Sequence, residues 1–300
     1  MMRSLLFVPG DSERKLLKAA ECGADALILD LEDSVALSRK AEARDIVSRF
    51  LTDTARGSDT PYLIVRINAL DSGLSDDDLA SVVSAAPDAI LLPKAGSGAD
   101  IQDLSARIAV HEAEAALEDG KIRIHALMTE TAGGMLAAAS FANKSARLSA
   151  LAWGAEDLAA DIGASSNKDE NGVYTDVFRL ARSLTILAAA NSDVDAVDTV
   201  FTDFRDIDGL EAECRAAVRD GFTGKMAIHP DQVAVINQAF TPPREDVERA
   251  VRILALFAAA GPDAGVLSLD GKMIDRPHLR QAERVARLAG LKPDAMPPVS

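Results

Sequence analysis

The chain has 300 residues, enough for one large domain or two ordinary ones, and 48% of them are hydrophobic. That share predicts a sizeable buried core, which aliphatic side chains must build because aromatic residues are only 4% of the chain. The formal net charge of −15 argues against nonspecific binding to nucleic acid or to an anionic membrane surface. An anionic substrate would need local cations to offset this charge.

The sequence contains no feature that indicates export or a membrane anchor. No stretch of about twenty apolar residues is present, and the apolar N-terminal run is broken early by Pro9-Gly10-Asp11. Cys22 and Cys214 are far apart and fit no CxxC pattern, so we expect two reduced thiols. These features favour a cytoplasmic protein with no membrane partner.

Short apolar runs alternate along the chain with longer segments of helical periodicity. Each run has the length of a strand and is continuously apolar, which is typical of parallel strands buried on both faces. The predicted strands are 4–9, 26–32, 62–68, 89–95, 122–130, 148–154, 196–203 and 224–230. The predicted helices begin at Ser12 and then cover 39–50, 76–84, 99–118, 177–190, 210–219 and 232–239.

Eight strands with helical connections predict a (β/α)8 TIM barrel over residues 1–240. The main alternative, a doubly wound open sheet, would need a glycine-rich phosphate loop after the first strand. Pro9-Gly10-Asp11-Ser12 does not supply one.

Residues 241–300 form a predicted C-terminal helical extension. Its elements are a helix at 243–260, a short β-like piece at 265–270, a turn at 270–272 and a last helix at 277–288. A barrel does not need such an extension, which could cap the barrel, build an oligomer interface or act as a lid over the active site.

Polar residues collect where the predicted strands end, which is the edge at which TIM barrels carry their active sites. Charged residues inside apolar runs are costly unless they are paired or bound to a metal. The groups concerned are Asp30-Leu31-Glu32-Asp33, Arg66-Ile67-Asn68, Pro93-Lys94, Glu130-Thr131, Glu156-Asp157, Asp203 and His229-Pro230.

Ion pairs of Arg66 and Lys94 with some of these acids would explain about half of them. The acids outnumber the bases, however, and uncompensated carboxylates in one cavity would raise each other's pKa values unless a cation lay among them. A divalent cation with carboxylate and water ligands, best Mg²⁺, accounts for the excess. No His or Cys cluster indicates zinc, and we expect His111, His125 and His278 to be packing or surface residues.

The motifs at these strand ends resemble the citrate lyase beta-subunit-like group of the citrate lyase/aldolase (HpcH/HpaI) superfamily, in order along nearly the whole chain. They are Leu6-Phe7-Val8-Pro9-Gly10-Asp11, Leu29-Asp30-Leu31-Glu32-Asp33-Ser34-Val35, Val65-Arg66-Ile67-Asn68, Leu92-Pro93-Lys94-Ala95, Glu130-Thr131-Ala132-Gly133, Trp153-Gly154-Ala155-Glu156-Asp157-Leu158 and Gly224-Lys225-Met226-Ala227-Ile228-His229-Pro230.

The resemblance implies a Mg²⁺-dependent lyase that splits or joins a carbon–carbon bond in a 3-hydroxyacyl-CoA thioester. The residues that match the family's metal ligands are Glu130 and Asp157, and Arg66 matches its substrate-contacting arginine. Glu32 and Asp33 become candidates for holding Arg66 or metal-bound water. One departure is Gly134, where the family has a more variable and often larger residue, so we expect glycine to widen the pocket there.

The segment Leu269-Asp270-Gly271-Lys272-Met273-Ile274-Asp275 resembles the lid of malyl-CoA and citramalyl-CoA lyases. The resemblance implies that Asp275 is the acid or base of the reaction, on a lid that closes over a neighbouring subunit's site. Local sequence alone favours a plainer role for Asp275, an acid at a helix N-terminus before Pro277.

The predicted reaction is a reversible Claisen condensation of acetyl-CoA or propionyl-CoA with a 2-oxo acid. The corresponding substrates are malyl-CoA, methylmalyl-CoA or citramalyl-CoA. The alternatives are the beta subunit of a citrate lyase complex, acting on a citryl thioester, and a metal-dependent 2-oxo acid aldolase that uses no CoA. We expect Arg14, Lys15 and Lys94 to be the candidate ligands of the CoA phosphates, and the resemblance implies a homotrimer or a dimer of trimers.

Overall fold

A computed structural model describes residues 2–57, 60–261 and 264–291 of the chain. Eight parallel strands close into a barrel in which each strand pairs with the next and β8 pairs with β1, so the predicted (β/α)8 fold is confirmed. The strands are β1 Ser4–Pro9, β2 Ala26–Asp30, β3 Tyr62–Arg66, β4 Ala89–Leu92, β5 Arg123–Leu127, β6 Leu148–Ala152, β7 Asp195–Asp198 and β8 Gly224–Ala227.

Helices follow the strands and cover their outer surface. In the barrel they are α1 Glu13–Ala20, α2 Lys40–Asp53, α3 Ser75–Val82, α4 Gly98–Glu114, α5 Ala132–Leu136, α6 Ala155–Ile162, α7 Asp176–Ser192, α8 Ile207–Asp220 and α9 Asp231–Phe240. The short helices α5 and α6 were not predicted; α5 begins two residues after Glu130, and α6 contains Asp157 in its first turn. No helix in the described part of the chain is long and apolar enough to cross a membrane.

The barrel interior is filled by alternate residues of the strands, such as Ile28, Ile64, Leu91 and Leu127, all of which are buried. The intervening residues face the helices and are also buried, which is why the strand sequences are continuously apolar. Aliphatic side chains of both sets form the core, as the low aromatic content required.

Most strands end before the apolar runs do, because the runs record burial rather than strand pairing. Leu31 and Ile67 follow β2 and β3 and are fully buried. Their N–H groups still donate to the neighbouring strands, with Leu31 N 2.9 Å from the Arg66 oxygen and Ile67 N 3.3 Å from the Leu91 oxygen. The polar residues that follow therefore lie in short loops anchored to the barrel edge.

The prediction that β7 ends at Asp203 is wrong. The strand ends at Asp198, and Asp203 lies in an exposed turn. Asp198 faces the outer layer, where its carboxylate accepts hydrogen bonds from Trp153 Nε1 and Lys225 Nζ, each at 2.8 Å. Lys225 is fully buried and also pairs with Glu213 at 2.7 Å, so this network joins β7 and β8 to α8.

Contacts divide the chain into two compact units, residues 2–237 and a second that begins at Gln238. The second unit contains α10 Arg244–Ala260, an antiparallel hairpin of β9 Val266–Leu269 and β10 Lys272–Asp275, and α11 Arg276–Leu288. β10 was not predicted. Asp270 and Gly271 both have positive φ, 51° and 75°, as a two-residue hairpin turn requires, so Asp-Gly was the available signal.

Candidate active site

The predicted site residues of the barrel lie at the ends of five neighbouring strands, β2 to β6. Asp30 and Arg66 are the last residues of β2 and β3, while Lys94 and Glu130 follow β4 and β5 by two and three residues. Asp157 lies in the first turn of α6, just after β6. Because parallel strands are in register at one edge, residues far apart in sequence form one cluster.

Arg66 and Asp30 form a buried, two-pronged ion pair, in which Arg66 Nε and Nη2 each donate to a different Asp30 oxygen at 2.7 Å. The Phe7 ring packs against the guanidinium, 4.7 Å from ring centroid to Cζ. Burial alone would disfavour both charges, but the paired hydrogen bonds outweigh it, lowering the pKa of Asp30 and raising that of Arg66. Arg66 is thus held rigidly and remains charged.

Glu32 lies between two cations. One of its carboxylate oxygens, Oε2, is 2.9 Å from Arg66 Nη1 but outside hydrogen-bonding geometry, and the other accepts a hydrogen bond from Lys94 Nζ. The loop that carries Glu32 is fixed by the buried Lys40, whose ammonium donates to the Leu31 and Glu32 carbonyl oxygens, both at 2.6 Å. Glu32 is therefore positioned beside Arg66, where it remains a candidate for holding the guanidinium.

Glu130 is buried at the centre of the cluster, and its Oε2 accepts a hydrogen bond from the Lys94 backbone N–H at 2.6 Å. Burial, together with the charge of Asp157, raises the pKa of Glu130 to about 8. Gly154 leaves room for this side chain, because a Cβ on Gly154 would stand 2.7 Å from Glu130 Cγ. Gly154 is a residue of the site that sequence reasoning passed over.

Asp157 and Asp33 complete the cluster at its solvent side. Their carboxylates lie 3.4 Å and 3.2 Å from Lys94 Nζ, and the Asp33 side chain is the more exposed, at 58% against 32% for Asp157. The structure therefore brings Asp33 to the edge of the site rather than to its centre. Lys94 is engaged by three carboxylates, so of the candidate ligands for the CoA phosphates it is the one whose charge is already compensated within the cluster.

The donor set suits a hard divalent cation. Five carboxylates meet Arg66 and Lys94 here, and with Lys40 also counted an excess of two negative charges remains when all are ionised. Among the described residues, no group of three or more His, Cys, Asp or Glu side chains is arranged to hold a metal. Two carboxylates with the remaining positions left to water and substrate oxygens is the usual arrangement for Mg²⁺ in enzymes.

The prediction that Gly134 widens the pocket is wrong. A Cβ at this position would stand 2.1 Å from the Met128 carbonyl oxygen and 2.6 Å from that of Ala95. Glycine thus allows α5 to approach the backbone on either side of the site, and no space is gained.

Asp275 lies in the second compact unit, where it is the residue before α11 and accepts from the helix backbone as its N-cap. The local role that the sequence favoured is therefore present. His278 Nδ1 lies 2.6 Å from Asp275 Oδ1, and this hydrogen bond lowers the pKa of Asp275. We expected His278 to be only a packing or surface residue, and this contact with Asp275 was not predicted.

A second feature of the barrel unit is a cavity of about 560 Å³ between the end of β1, helix α1 and the loop after β8. Arg14, Lys15 and Lys18 of α1 line one side, and Pro9 and Pro230 are among the residues opposite. All three basic side chains are exposed, which makes this groove the cationic surface that an anionic ligand of an acidic protein would need.

Three comparisons relate this chain to known proteins. The family model described as HpcH/HpaI aldolase/citrate lyase matches residues 3–230. Mitochondrial citramalyl-CoA lyase of Rattus norvegicus is 36% identical over 96% of this chain and 86% of its own length. A (3S)-malyl-CoA thioesterase of Cereibacter sphaeroides is 36% identical, covering 94% and 92%. The crystal structure of protein CitE from Mycobacterium tuberculosis with magnesium, acetoacetate and coenzyme A is similar with a TM-score of 0.72 and 35% identity, over 96% of this chain and 98% of that one.

Proposed function

The chain belongs to the HpcH/HpaI aldolase/citrate lyase family, and from that membership we propose that it is a Mg²⁺-dependent carbon–carbon lyase acting on a 3-hydroxyacyl-CoA. Malyl-CoA, methylmalyl-CoA and citramalyl-CoA are the candidate substrates, and acetyl-CoA or propionyl-CoA with a 2-oxo acid are the products. The observation that carries the proposal is the buried Glu130 beside Asp157, in a cluster whose carboxylates outnumber its cations.

Glu130 and Asp157 are the proposed metal ligands. Mg²⁺ bound there would polarise the carbonyl of the 2-oxo acid as a Lewis acid. Glu130 is oriented for this by the Lys94 N–H on one oxygen and by the space that Gly154 leaves, while Asp157 approaches from the first turn of α6. The Glu130 and Asp157 carboxylates are therefore positioned before the substrate binds, which lowers the entropy cost of assembling the site.

Arg66 is the proposed stabiliser of the negative charge that develops on the thioester oxygen. Asp30 and Phe7 hold its guanidinium in place, and Glu32 lies near Nη1 without forming a hydrogen bond to it. Nη1 is the edge proposed to donate to a substrate oxygen, with the Glu32 carboxylate, 2.9 Å away, shifting to admit it.

The CoA part of the substrate is assigned to the groove lined by Arg14, Lys15 and Lys18. Its phosphates need cations that are not already neutralised, and these side chains form no ion pair with a described residue, whereas Lys94 does. Asp275 is proposed to remove or return the proton at the acetyl carbon. It would do so from a lid formed by the C-terminal extension, residues 241–300. A cytoplasmic homotrimer or dimer of trimers completes the proposal.

The test is an assay of the three thioesters with purified chain, with and without Mg²⁺. The lyase is supported if acetyl-CoA or propionyl-CoA forms together with a 2-oxo acid and a chelator abolishes this activity. Release of free CoA instead of an acyl-CoA would indicate the thioesterase reaction for which the Cereibacter relative is named. Glu130→Gln and Asp157→Asn should each lose Mg²⁺ binding in calorimetry, whereas the neighbouring exposed control Glu156→Gln should retain it. No cleavage of any thioester with Mg²⁺ bound would refute the proposal.

Two further substrates in the same assay test the alternatives: a citryl thioester for the citrate lyase beta subunit, and a free hydroxy-oxo acid for the aldolase. Activity on a free hydroxy-oxo acid with no response to CoA thioesters would favour the aldolase.

A further inference from the structure

Lys94 has an unusual backbone conformation at the centre of the cluster. Its φ of 51° lies in the left-handed region, which residues other than glycine seldom adopt. The turn that results points its N–H at Glu130 Oε2 and its side chain towards Glu32, Asp33 and Asp157. Backbone strain of this kind persists where the surroundings require one geometry, and here it lets a single residue contact both proposed metal ligands.

The Lys94 ammonium is the cation nearest to Asp157 among the contacts of the described residues. It lies 3.4 Å from Asp157 Oδ1 and also contacts Glu32 and Asp33, with only 31% of the side chain exposed. A partly buried cation among three carboxylates is stabilised in its charged form. The positive charge is therefore a fixed part of the site at neutral pH.

A divalent cation held by Glu130 and Asp157 must share Asp157 with this ammonium. Two cations bound to one carboxylate repel each other. For charges a few ångströms apart in a partly buried site, this repulsion lowers the affinity for the divalent cation by more than about tenfold.

We propose that Lys94 sets the strength of metal binding, weakening it through the ammonium that competes for Asp157 while orienting Glu130 through its backbone N–H. Lys94 acts through the two ligands and is a positioning residue. The inference rests on the proposed function, because it takes Glu130 and Asp157 as the metal ligands.

Calorimetric titration of the full chain with Mg²⁺ alone tests the inference without reference to activity. Lys94→Met should bind Mg²⁺ at least about tenfold more tightly than the parent chain, since one positive charge leaves the cluster. Lys94→Arg keeps the charge and should return the affinity to near the parent value. Lys94→Gly removes the ammonium in a residue that accepts positive φ, so it should also bind more tightly and serves if the Met variant does not fold.

The matched control is Lys121→Met, an exposed lysine before β5, which should leave the affinity unchanged. If Lys94→Met and Lys94→Gly bind Mg²⁺ no more tightly than the parent while Glu130→Gln and Asp157→Asn lose binding, the metal site stands and the role of Lys94 is refuted. If the Glu130 and Asp157 variants bind Mg²⁺ as the parent does, it is the proposed function that fails.

Discussion

A Cβ on Gly134 would stand 2.1 Å from the carbonyl oxygen of Met128, closer than any side chain can approach. The adjacent Gly133 has only Thr131 Oγ1, at 3.8 Å, within reach of an added Cβ. The two glycines of α5 are therefore a matched pair, one required by close packing and one free to change.

We expect Gly134→Ala to lower the free energy of unfolding by about 1–3 kcal/mol, because the backbone beside the site must move to admit a methyl group. Gly133→Ala should leave it unchanged or raise it by up to about 1 kcal/mol, since alanine favours the helix. Urea unfolding of both variants measures the difference. Equal stabilities would show that α5 moves away at little cost.

Removing the charges of the basic groove should weaken substrate binding without slowing the chemical step. Replacing Arg14, Lys15 and Lys18 together with Gln should raise the KM for the CoA thioester roughly tenfold and leave kcat unchanged, since exposed ionic contacts contribute about 0.2–1 kcal/mol each. The effect should shrink as salt is added. Steady-state kinetics checks it, with Lys121→Gln as the control, and an unchanged KM at low salt would place the CoA phosphates elsewhere.

Asp275 should be essential to the proton transfer and dispensable for metal binding. We expect Asp275→Asn to lower kcat at least about a hundredfold, the usual share of a general acid or base, with Mg²⁺ affinity in calorimetry unchanged. A rate close to that of the parent would remove Asp275 from the mechanism and leave it the helix cap that the structure describes.

His278 predicts a change in pH dependence that a capping role would not produce. Its hydrogen bond lowers the pKa of Asp275, so in His278→Gln that pKa should rise. Condensation needs Asp275 as an ionised base. In the variant, the acidic limb of the plot of kcat against pH should therefore move to higher pH. A lower melting temperature with an unmoved profile would mean that His278 only supports α11.

His125 predicts a loss of stability in acid. It is buried beside Tyr62, and burial, aided by Arg123, lowers the pKa of its imidazole from 6.5 to about 4. Between these two pH values the unfolded chain binds a proton that the folded chain does not, so stability falls as the pH falls through this window. The free energy of unfolding falls by about 3 kcal/mol across this window, because each pKa unit corresponds to about 1.36 kcal/mol.

In His125→Leu this contribution is absent, so its unfolding free energy should fall less than the parent's between pH 6.5 and 4. The exposed carboxylates titrate alike in both proteins, and His111→Gln should follow the parent. Parallel curves for the parent and His125→Leu would show that His125 is protonated in the folded chain.

The sequence by itself determined the barrel and the edge at which the site lies. Continuous aliphatic runs can be satisfied only by strands covered on both faces, and parallel strands bring their final residues to one edge. Asp30, Arg66 and Glu130 could therefore be grouped without coordinates, because order along the chain fixes order around a barrel.

Which side chains contact each other was decided only by the tertiary structure. Lys94 and Glu32 are 62 residues apart, and their contact depends on how a left-handed turn after β4 directs one lysine. The same holds for Asp198, which ends β7 where we predicted Asp203, and for the backbone oxygens that exclude a side chain at Gly134. Periodicity records which residues are buried, but pairing depends on distances of a few ångströms between distant segments, and only the closed barrel sets those distances.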